Sequence, residues 1–129
     1  MTDPLADMLT RIRNAILVRK PRTEVPYSSL NFEVAKILEQ EGYLGGFSKN
    51  RLDNNEVLEL ELKYVEGKSV LVGIEVISKA GQRIYTKAQA LPQVLGGLGT
   101  LIVSTPGGLM TGKEARQKNL GGEILIKVW

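Results

Sequence analysis

The chain of 129 residues contains neither cysteine nor histidine. The first absence excludes disulfide bridges and thiolate chemistry, and the two together exclude zinc sites built from Cys and His. Without histidine there is also no imidazole that could act as a general acid or base near neutral pH. The composition therefore argues against an enzyme.

Long apolar runs and aromatic residues are also scarce. No run approaches the roughly 20 residues that a membrane-spanning helix needs, and the segment MTDPLADMLTRIRN has acids and no signal core. The aromatic content is 5%, so a core must be built mainly from Leu, Ile and Val. We expect a cytoplasmic protein without a membrane partner, although a plastid interior stays open.

Acidic residues are scarce in the second half of the chain. Residues 67–129 hold eight Lys/Arg and three acids, a balance of +5, whereas residues 1–66 hold nine Lys/Arg and eleven acids, a balance of −2. Such asymmetry indicates a polyanionic partner, which is usually nucleic acid or a membrane surface. A small basic domain without such a partner is the alternative.

The first half predicts the order α-β-α-β-β. Asp3 and Pro4 fit the cap and first position of a helix that ends before Pro21. RTEVPY is typical of an edge strand, and Ser28 or Ser29 can cap a second helix. The alternating run EVLELELKY predicts a strand with one wet face. Its expected partner is YLGGFSK, with NRLDNN as the connecting loop.

The second half is predicted to be mostly β with one or two short helices. SVLVGIEVI, RIY, GGLGTLIVST and GGEILIKVW read as strands, the last with Ile124, Ile126 and Val128 on one face. ALPQVL could form a short helix. Thr111 and Glu114 have capping-box spacing for another over residues 112–118. The predicted fold class is α+β, with domains at 1–66 and 67–129 that meet near YVEGKS.

Catalytic groups, cofactor sites and metal sites are not evident. Asp3 and Asp7 complement a helix dipole, and Glu59 and Glu61 lie on a solvated strand face. The glycine-rich segments GGLG and PGGLMTGK lack the spacing of a phosphate-binding loop. We therefore predict no catalytic residue, no cofactor, no metal and no small-molecule substrate.

The segment VSTPGGLMTGKEARQK has the features of a binding surface. Ser104 and Thr105 can donate to phosphate or accept from a base edge or ribose hydroxyl. Bare backbone at Gly107 and Gly108 allows close approach of a ligand. A helix starting at Thr111 would present free N–H groups to an anion. A plain turn is the alternative.

Cations and one aromatic residue complete the predicted surface. Lys113 and Arg116 supply long-range attraction for a polyanion. The second basic group contains Lys79, Arg83, Tyr85 and Lys87. Tyr85 either stacks on an exposed base or is a half-buried strand tyrosine.

The whole chain resembles the bacterial-type family of the small-subunit ribosomal protein numbered eight. The likeness rests on TDPLADMLTRIRNA, SKAGQRIY, LPQVLGGLGTLIVST and MTGKEARQKNLGGEILIKVW. The resemblance implies two small α+β domains, of which the second carries most RNA contacts. It also implies a primary binder of a helical junction in the central domain of 16S-type ribosomal RNA. Such a protein helps to assemble the subunit platform beside neighbouring small-subunit proteins.

The resemblance also implies roles for single residues. Ser104, Thr105 and Gly108 correspond to the RNA-contacting loop of the family, Tyr85 to its strand tyrosine and Glu123 to the acid after paired glycines. Glu123 would accept hydrogen bonds from the Ser/Thr hydroxyls or from a base amino group. The departures from the family pattern are Pro106 for serine, Ala80 for proline, Gly112 for an acid and Ile126 for cysteine.

The sequence thus predicts one set of RNA-binding candidates. They are Lys79, Arg83, Tyr85, Lys87, Ser104, Thr105, Gly107, Gly108, Thr111, Lys113, Arg116 and Glu123, with Arg11 and Asn14 added from the polar face of the first helix. The first hypothesis is an RNA-binding structural protein of the small ribosomal subunit. The alternatives are a free regulator that binds a messenger RNA imitating the ribosomal site, and an unrecognised enzyme.

Overall fold

The computed structural model describes residues 3–129 and has the predicted α+β class. Its helices are α1 (Pro4–Leu17), α2 (Ser29–Gln40) and α3 (Gly112–Gln117), with 3-10 turns at Ala88–Ala90 and Leu95–Gly97. Its strands are β1 (Arg22–Pro26), β2 (Leu44–Leu52), β3 (Asn55–Leu62), β4 (Tyr64–Val65), β5 (Lys68–Ser69), β6 (Ile74–Val76), β7 (Tyr85–Thr86), β8 (Thr100–Thr105), β9 (Gly108–Thr111) and β10 (Gly122–Val128).

The chain divides into two compact units. One ends at Leu71 and the other runs from Val72 to Trp129. The segment YVEGKS forms the β4–β5 hairpin, and its turn residues Glu66 and Gly67 both have left-handed backbone conformations. This hairpin lies within the first unit, so the division observed here comes after the segment where we expected the domains to meet.

The first unit packs two helices on a three-stranded antiparallel sheet of order β1-β3-β2. The Asp3 carboxylate caps α1 by accepting from the backbone N–H of Leu5 and Ala6, which confirms the predicted start. The buried face of the sheet comes from the alternation in β3. Its buried members are Leu58, Leu60 and Leu62.

The predicted loop NRLDNN is wrong, because most of it continues the ladder of β2 and β3. Arg51 pairs with Glu56 and Leu52 with Asn55. The turn is reduced to Asp53 and Asn54, both with positive φ. Asp and Asn tolerate this conformation, which matches the twist of a tight hairpin.

The outer edge of β1 is covered by side chains. Arg11 donates to the carbonyl of Glu24 at 3.3 Å, and the fully buried Asn31 donates to that of Pro26 at 3.2 Å. Pro26 has no N–H of its own to leave unpaired. The strand is therefore an edge strand as predicted, and the outward carbonyls of Glu24 and Pro26 have side-chain donors in place of a further strand.

The second unit is built on a sheet of order β6-β10-β8-β9, with β7 also paired to β10. Two of the predicted elements are shorter or different. In SVLVGIEVI, Ser69 ends β5 and only Ile74–Val76 forms a further strand. ALPQVL forms no α-helix, since Ala90 ends one 3-10 turn and Leu95 begins the other. The core of this unit consists of apolar residues from the strands, from α3 and from the segment between the 3-10 turns. Its buried members are Leu91, Val94, Leu101, Val103, Met110, Ala115 and Ile124.

A bulge in β10 overturns the prediction that Ile124, Ile126 and Val128 share a face. Ile124 lies opposite Val103, whereas Ile126 lies opposite Ile102. Opposite residues of an antiparallel pair share a face and successive residues alternate, so Ile124 and Ile126 point to different sides. The extra residue of the bulge reverses an alternation that the sequence alone suggests is regular.

Candidate nucleic-acid interface

The segment predicted as a glycine-rich loop is a tight β-hairpin. Strands β8 and β9 pair up to Thr105 and Gly108, so only Pro106 and Gly107 lie in the turn. Gly108 has a φ of 107°, in the region that favours glycine. A proline followed by a glycine and a residue of positive φ is suited to a turn with a bulge. This hairpin positions the predicted RNA-contacting residues.

The Thr105 hydroxyl holds this hairpin together. It donates to the carbonyl of Gly108 at 2.8 Å and accepts from the N–H of Gly107 at 3.1 Å. Thr105 is also buried, with 9% of its surface exposed. The predicted donation from this hydroxyl to phosphate is therefore corrected, because the hydroxyl proton is already donated to the carbonyl of Gly108.

Ser104 faces the opposite side of β8 and joins a row across three strands. It lies opposite Glu123 of β10, and Glu123 lies opposite Tyr85 of β7. Residues opposite one another in antiparallel strands project to the same face. The fold thus brings together three candidates that are separated by many residues in sequence.

The three side chains of this row offer different chemistry. Tyr85 is 69% exposed, so the alternative of a half-buried tyrosine is wrong. The Ser104 hydroxyl makes no hydrogen bond to another residue in the described part of the chain. The row can stack a base, donate or accept at a hydroxyl, and accept at a carboxylate.

Glu123 is held in place by Arg83. The guanidinium donates to the Glu123 carboxylate at 3.2 Å, and only 17% of the glutamate side chain is exposed. The sequence placed Arg83 among cations that attract a polyanion, and it placed Glu123 as an acceptor for hydroxyls or a base. The pairing shows that Arg83 also neutralises and orients this acid.

Paired glycines allow the three strands to approach. A Cβ at Gly122 would lie 2.0 Å from the carbonyl oxygen of Ser104, and one at Gly121 would lie 2.5 Å from that of Thr86. Both distances are far below van der Waals contact with backbone atoms. The glycines before Glu123 are therefore required by the sheet itself.

The remaining cations of the second unit differ in their surroundings. Lys79, Lys87 and Lys113 are exposed and form no ion pair within residues 3–129. Lys87 lies beside the interface, since its Cα is 2.9 Å from a Cβ built on Gly121. Arg116 instead donates to the carbonyl of Leu91, so its predicted role in attraction is combined with a structural contact.

The start of α3 is closed by its own capping box. The Thr111 hydroxyl accepts from the N–H of Glu114 at 3.1 Å, and the Glu114 carboxylate accepts from the N–H of Thr111 at 3.3 Å. Thr111 is 5% exposed. The capping box uses the Thr111 hydroxyl and the N–H groups of Thr111 and Glu114 inside the protein, so these three groups do not serve the predicted contact of the helix start with an anion.

The two candidates of the first unit lie on α1. Arg11 is engaged within the unit, where it contacts Asp7 at 3.1 Å and the carbonyl of Glu24. Asn14 is exposed on the same helix. Arg11 thus has a structural function that the amphipathic pattern did not reveal.

Residues 3–129 contain no group of three or more metal-ligating side chains placed to hold an ion. Each of their helices is too short or too polar for a bilayer span.

Comparisons with known proteins agree with one another. The family described as Ribosomal protein S8 matches residues 3–129. The chain is 46% identical to the small ribosomal subunit protein uS8 of Vesicomyosocius okutanii and 47% identical to that of Syntrophus aciditrophicus. It is 48% identical to uS8 of Staphylococcus aureus strain JH9. Each comparison covers 100% of this chain and 98% of the relative.

Proposed function

The chain belongs to the ribosomal protein S8 family, and from this membership we propose that it is a structural, RNA-binding component of the small ribosomal subunit. Ribosomal RNA is its polyanionic partner, and its work is structural rather than enzymatic. The cytoplasmic ribosome is the place of action.

The finer proposal concerns the RNA site and the assembly step. The protein binds a helical junction in the central domain of the small-subunit RNA as a primary binder, and it helps to assemble the platform beside neighbouring proteins. Support comes from the resemblance of the whole chain and from the row of Ser104, Glu123 and Tyr85. A junction exposes unstacked bases, which such a mixed polar and aromatic row is suited to recognise.

The row carries the proposal because each member has a separate task there. Tyr85 stacks on a base, the Ser104 hydroxyl bonds a base edge or ribose, and Glu123 accepts from an amino group while Arg83 orients it. Lys79, Lys87 and Lys113 supply attraction that does not depend on sequence. Thr105, Gly107 and Gly108 hold the hairpin that presents Ser104.

A titration of the purified protein with the junction fragment and with a scrambled RNA tests this assignment. We expect Ser104→Ala to weaken junction binding by about 1 kcal/mol and Tyr85→Leu by roughly 1–3 kcal/mol. Binding to scrambled RNA should change little. Ser48→Ala, at an exposed strand serine of the first unit, is the matched control. Equal losses for both RNAs would contradict the assignment of specificity to the row.

Co-sedimentation separates the structural role from a regulatory one. A structural component stays with small subunits through a sucrose gradient at moderate salt. A free regulator that binds a messenger RNA imitating the site would remain at the top of the gradient.

A further inference from the structure

The three helices in the described residues end in the same backbone motif with different residues at its left-handed position. That position is Arg19 after α1, Gly42 after α2 and Asn119 after α3, each with positive φ. In each motif two backbone N–H groups bond back to carbonyls of the last turn. Glycine adopts this conformation without a steric penalty and asparagine tolerates it, whereas arginine is disfavoured. Local stability therefore does not explain Arg19.

The residues beside Arg19 are unusually exposed for their type. Leu17 is 80% exposed and Val18 is 66% exposed. The β4–β5 hairpin lies against this end of the helix, since Tyr64 donates to the carbonyl of Lys20 at 2.7 Å. The guanidinium of Arg19 lies 3.9 Å from a Cβ built on Gly67 in the hairpin turn.

The hairpin adds a similar combination of groups. Val65, which is 58% exposed, lies opposite Lys68 in the ladder. We call Leu17, Val18, Arg19, Lys20, Val65 and Lys68 together the α1-end surface. Its apolar side chains come from two elements that contact each other, the end of α1 and the β4–β5 hairpin. They therefore belong to one patch of the surface.

The charge of the α1-end surface is left uncompensated. Arg19, Lys20 and Lys68 form no ion pair among residues 3–129, although the first unit as a whole has an excess of acids. In sequence, Glu66 is the acid nearest to Lys68, and Glu24 is the acid nearest to Arg19 and Lys20. RNA would neutralise the cations but would leave the three apolar side chains without apolar contacts. A protein surface with apolar residues and a rim of carboxylates matches both.

We propose that the α1-end surface docks a neighbouring protein of the small subunit, whose contact segment carries apolar residues flanked by Asp or Glu. The proposal rests on the proposed ribosomal function. Arg19 supplies a long cation at the rim of this contact, which accounts for an arginine at a position where glycine would be more stable. The surface belongs to the first unit, whereas the row proposed to contact RNA belongs to the second.

Photo-crosslinking within assembled subunits tests the proposal. Leu17 is replaced by p-benzoylphenylalanine in the full chain, which is then incorporated into small subunits and irradiated. We expect a crosslink to a protein segment with adjacent carboxylates, identified by mass spectrometry. The matched control carries the same group at Leu52, a 50% exposed residue of β2 outside the surface. A crosslink to ribosomal RNA alone, or none above the control, overturns the proposal.

Charge variants of the crosslinking chain provide a second readout. Arg19→Glu combined with Lys20→Glu should lower the crosslink yield severalfold, while Lys36→Glu on α2 should leave it unchanged. Arg19→Gly should raise the melting temperature and still lower the yield, a combination that a purely structural arginine would not give. An unchanged yield for both Arg19 variants overturns the proposal. Failure of the parent chain to enter subunits would overturn the ribosomal function too.

Discussion

The two units of this protein differ in charge balance, since acids outnumber cations in the first and cations outnumber acids in the second. On the first unit's sheet, cations face acids on the neighbouring strand, with Arg22 at 3.6 Å from Glu59 and Lys49 at 2.7 Å from Glu56. The hydrogen bond between the latter two raises the pKa of Lys49 and lowers the pKa of Glu56, so the pair is ionised at neutral pH. Around the second sheet, Lys79 is among the cations left without such partners.

This difference is the one we expect between a scaffold and the proposed RNA-binding unit. Paired charges on a sheet face water and protect it from association, while unpaired cations remain available to neutralise phosphates. The second sheet also carries two ion pairs, Lys127 with Glu75 at 3.7 Å and Arg83 with Glu123 at 3.2 Å, and the latter holds the Glu123 carboxylate in place as an acceptor. In the first unit, the cations of the α1-end surface are also left without an ion-pair partner among residues 3–129.

The largest expected effect comes from comparing a glycine near the start of a strand in each sheet. Gly122→Ala places a Cβ 2.0 Å from a carbonyl oxygen, so we expect it to lower the free energy of unfolding by about 3 kcal/mol. Gly45→Ala meets Glu61 at 3.6 Å or more, which is ordinary contact, and should be neutral or slightly stabilising. Urea denaturation of both variants measures the difference, and similar midpoints would contradict the close approach of β8 and β10.

Strand threonines give the next comparison. Thr105→Val removes the hydroxyl that closes the β8–β9 turn, and we expect a loss of about 1–2 kcal/mol in the free energy of unfolding. Thr23→Val in β1 removes a hydroxyl that has no protein partner among residues 3–129 and should change stability little. Thermal melts report both changes. A Thr105 variant that melts like the parent but loses RNA affinity would restore the direct RNA contact predicted from sequence.

The sequence predicted elements better where the governing interaction was local. The cap at Asp3 and the capping box at Thr111 depend on residues a few positions apart, and both were confirmed. The bulge at Ile124 and the strand β9 depend on pairing partners elsewhere in the chain, and both were missed. Similarly, the hydroxyls of Ser104 and Thr105 look equivalent in sequence. Strand alternation points them to opposite faces, and the turn geometry engages only the Thr105 hydroxyl.

Lysines of the two units should differ in their effect on RNA binding. Lys113→Gln is expected to reduce the slope of log K against log salt concentration by about one, because one phosphate neutralisation is lost. Lys36→Gln, at an exposed position of α2, should leave the slope unchanged. Titrations at several salt concentrations measure both slopes. Equal decreases would show that attraction is spread over the whole chain rather than concentrated in the second unit.

The smallest expected effect belongs to Ala80→Pro, in a turn of the second unit. Lys79 and Gln82 exchange two backbone hydrogen bonds around Ala80 and Gly81, and Gly81 has a φ of 82°. Proline is favoured at the position that Ala80 occupies in such a turn, so Ala80→Pro should raise stability by about 0.4–1 kcal/mol through the unfolded chain. The turn at Asp53 has a positive φ that proline cannot adopt, so Asp53→Pro should destabilise the protein. Opposite shifts in melting temperature are the expected result. A decrease for Ala80→Pro would mean that the Ala80 N–H or its φ is needed in the folded state.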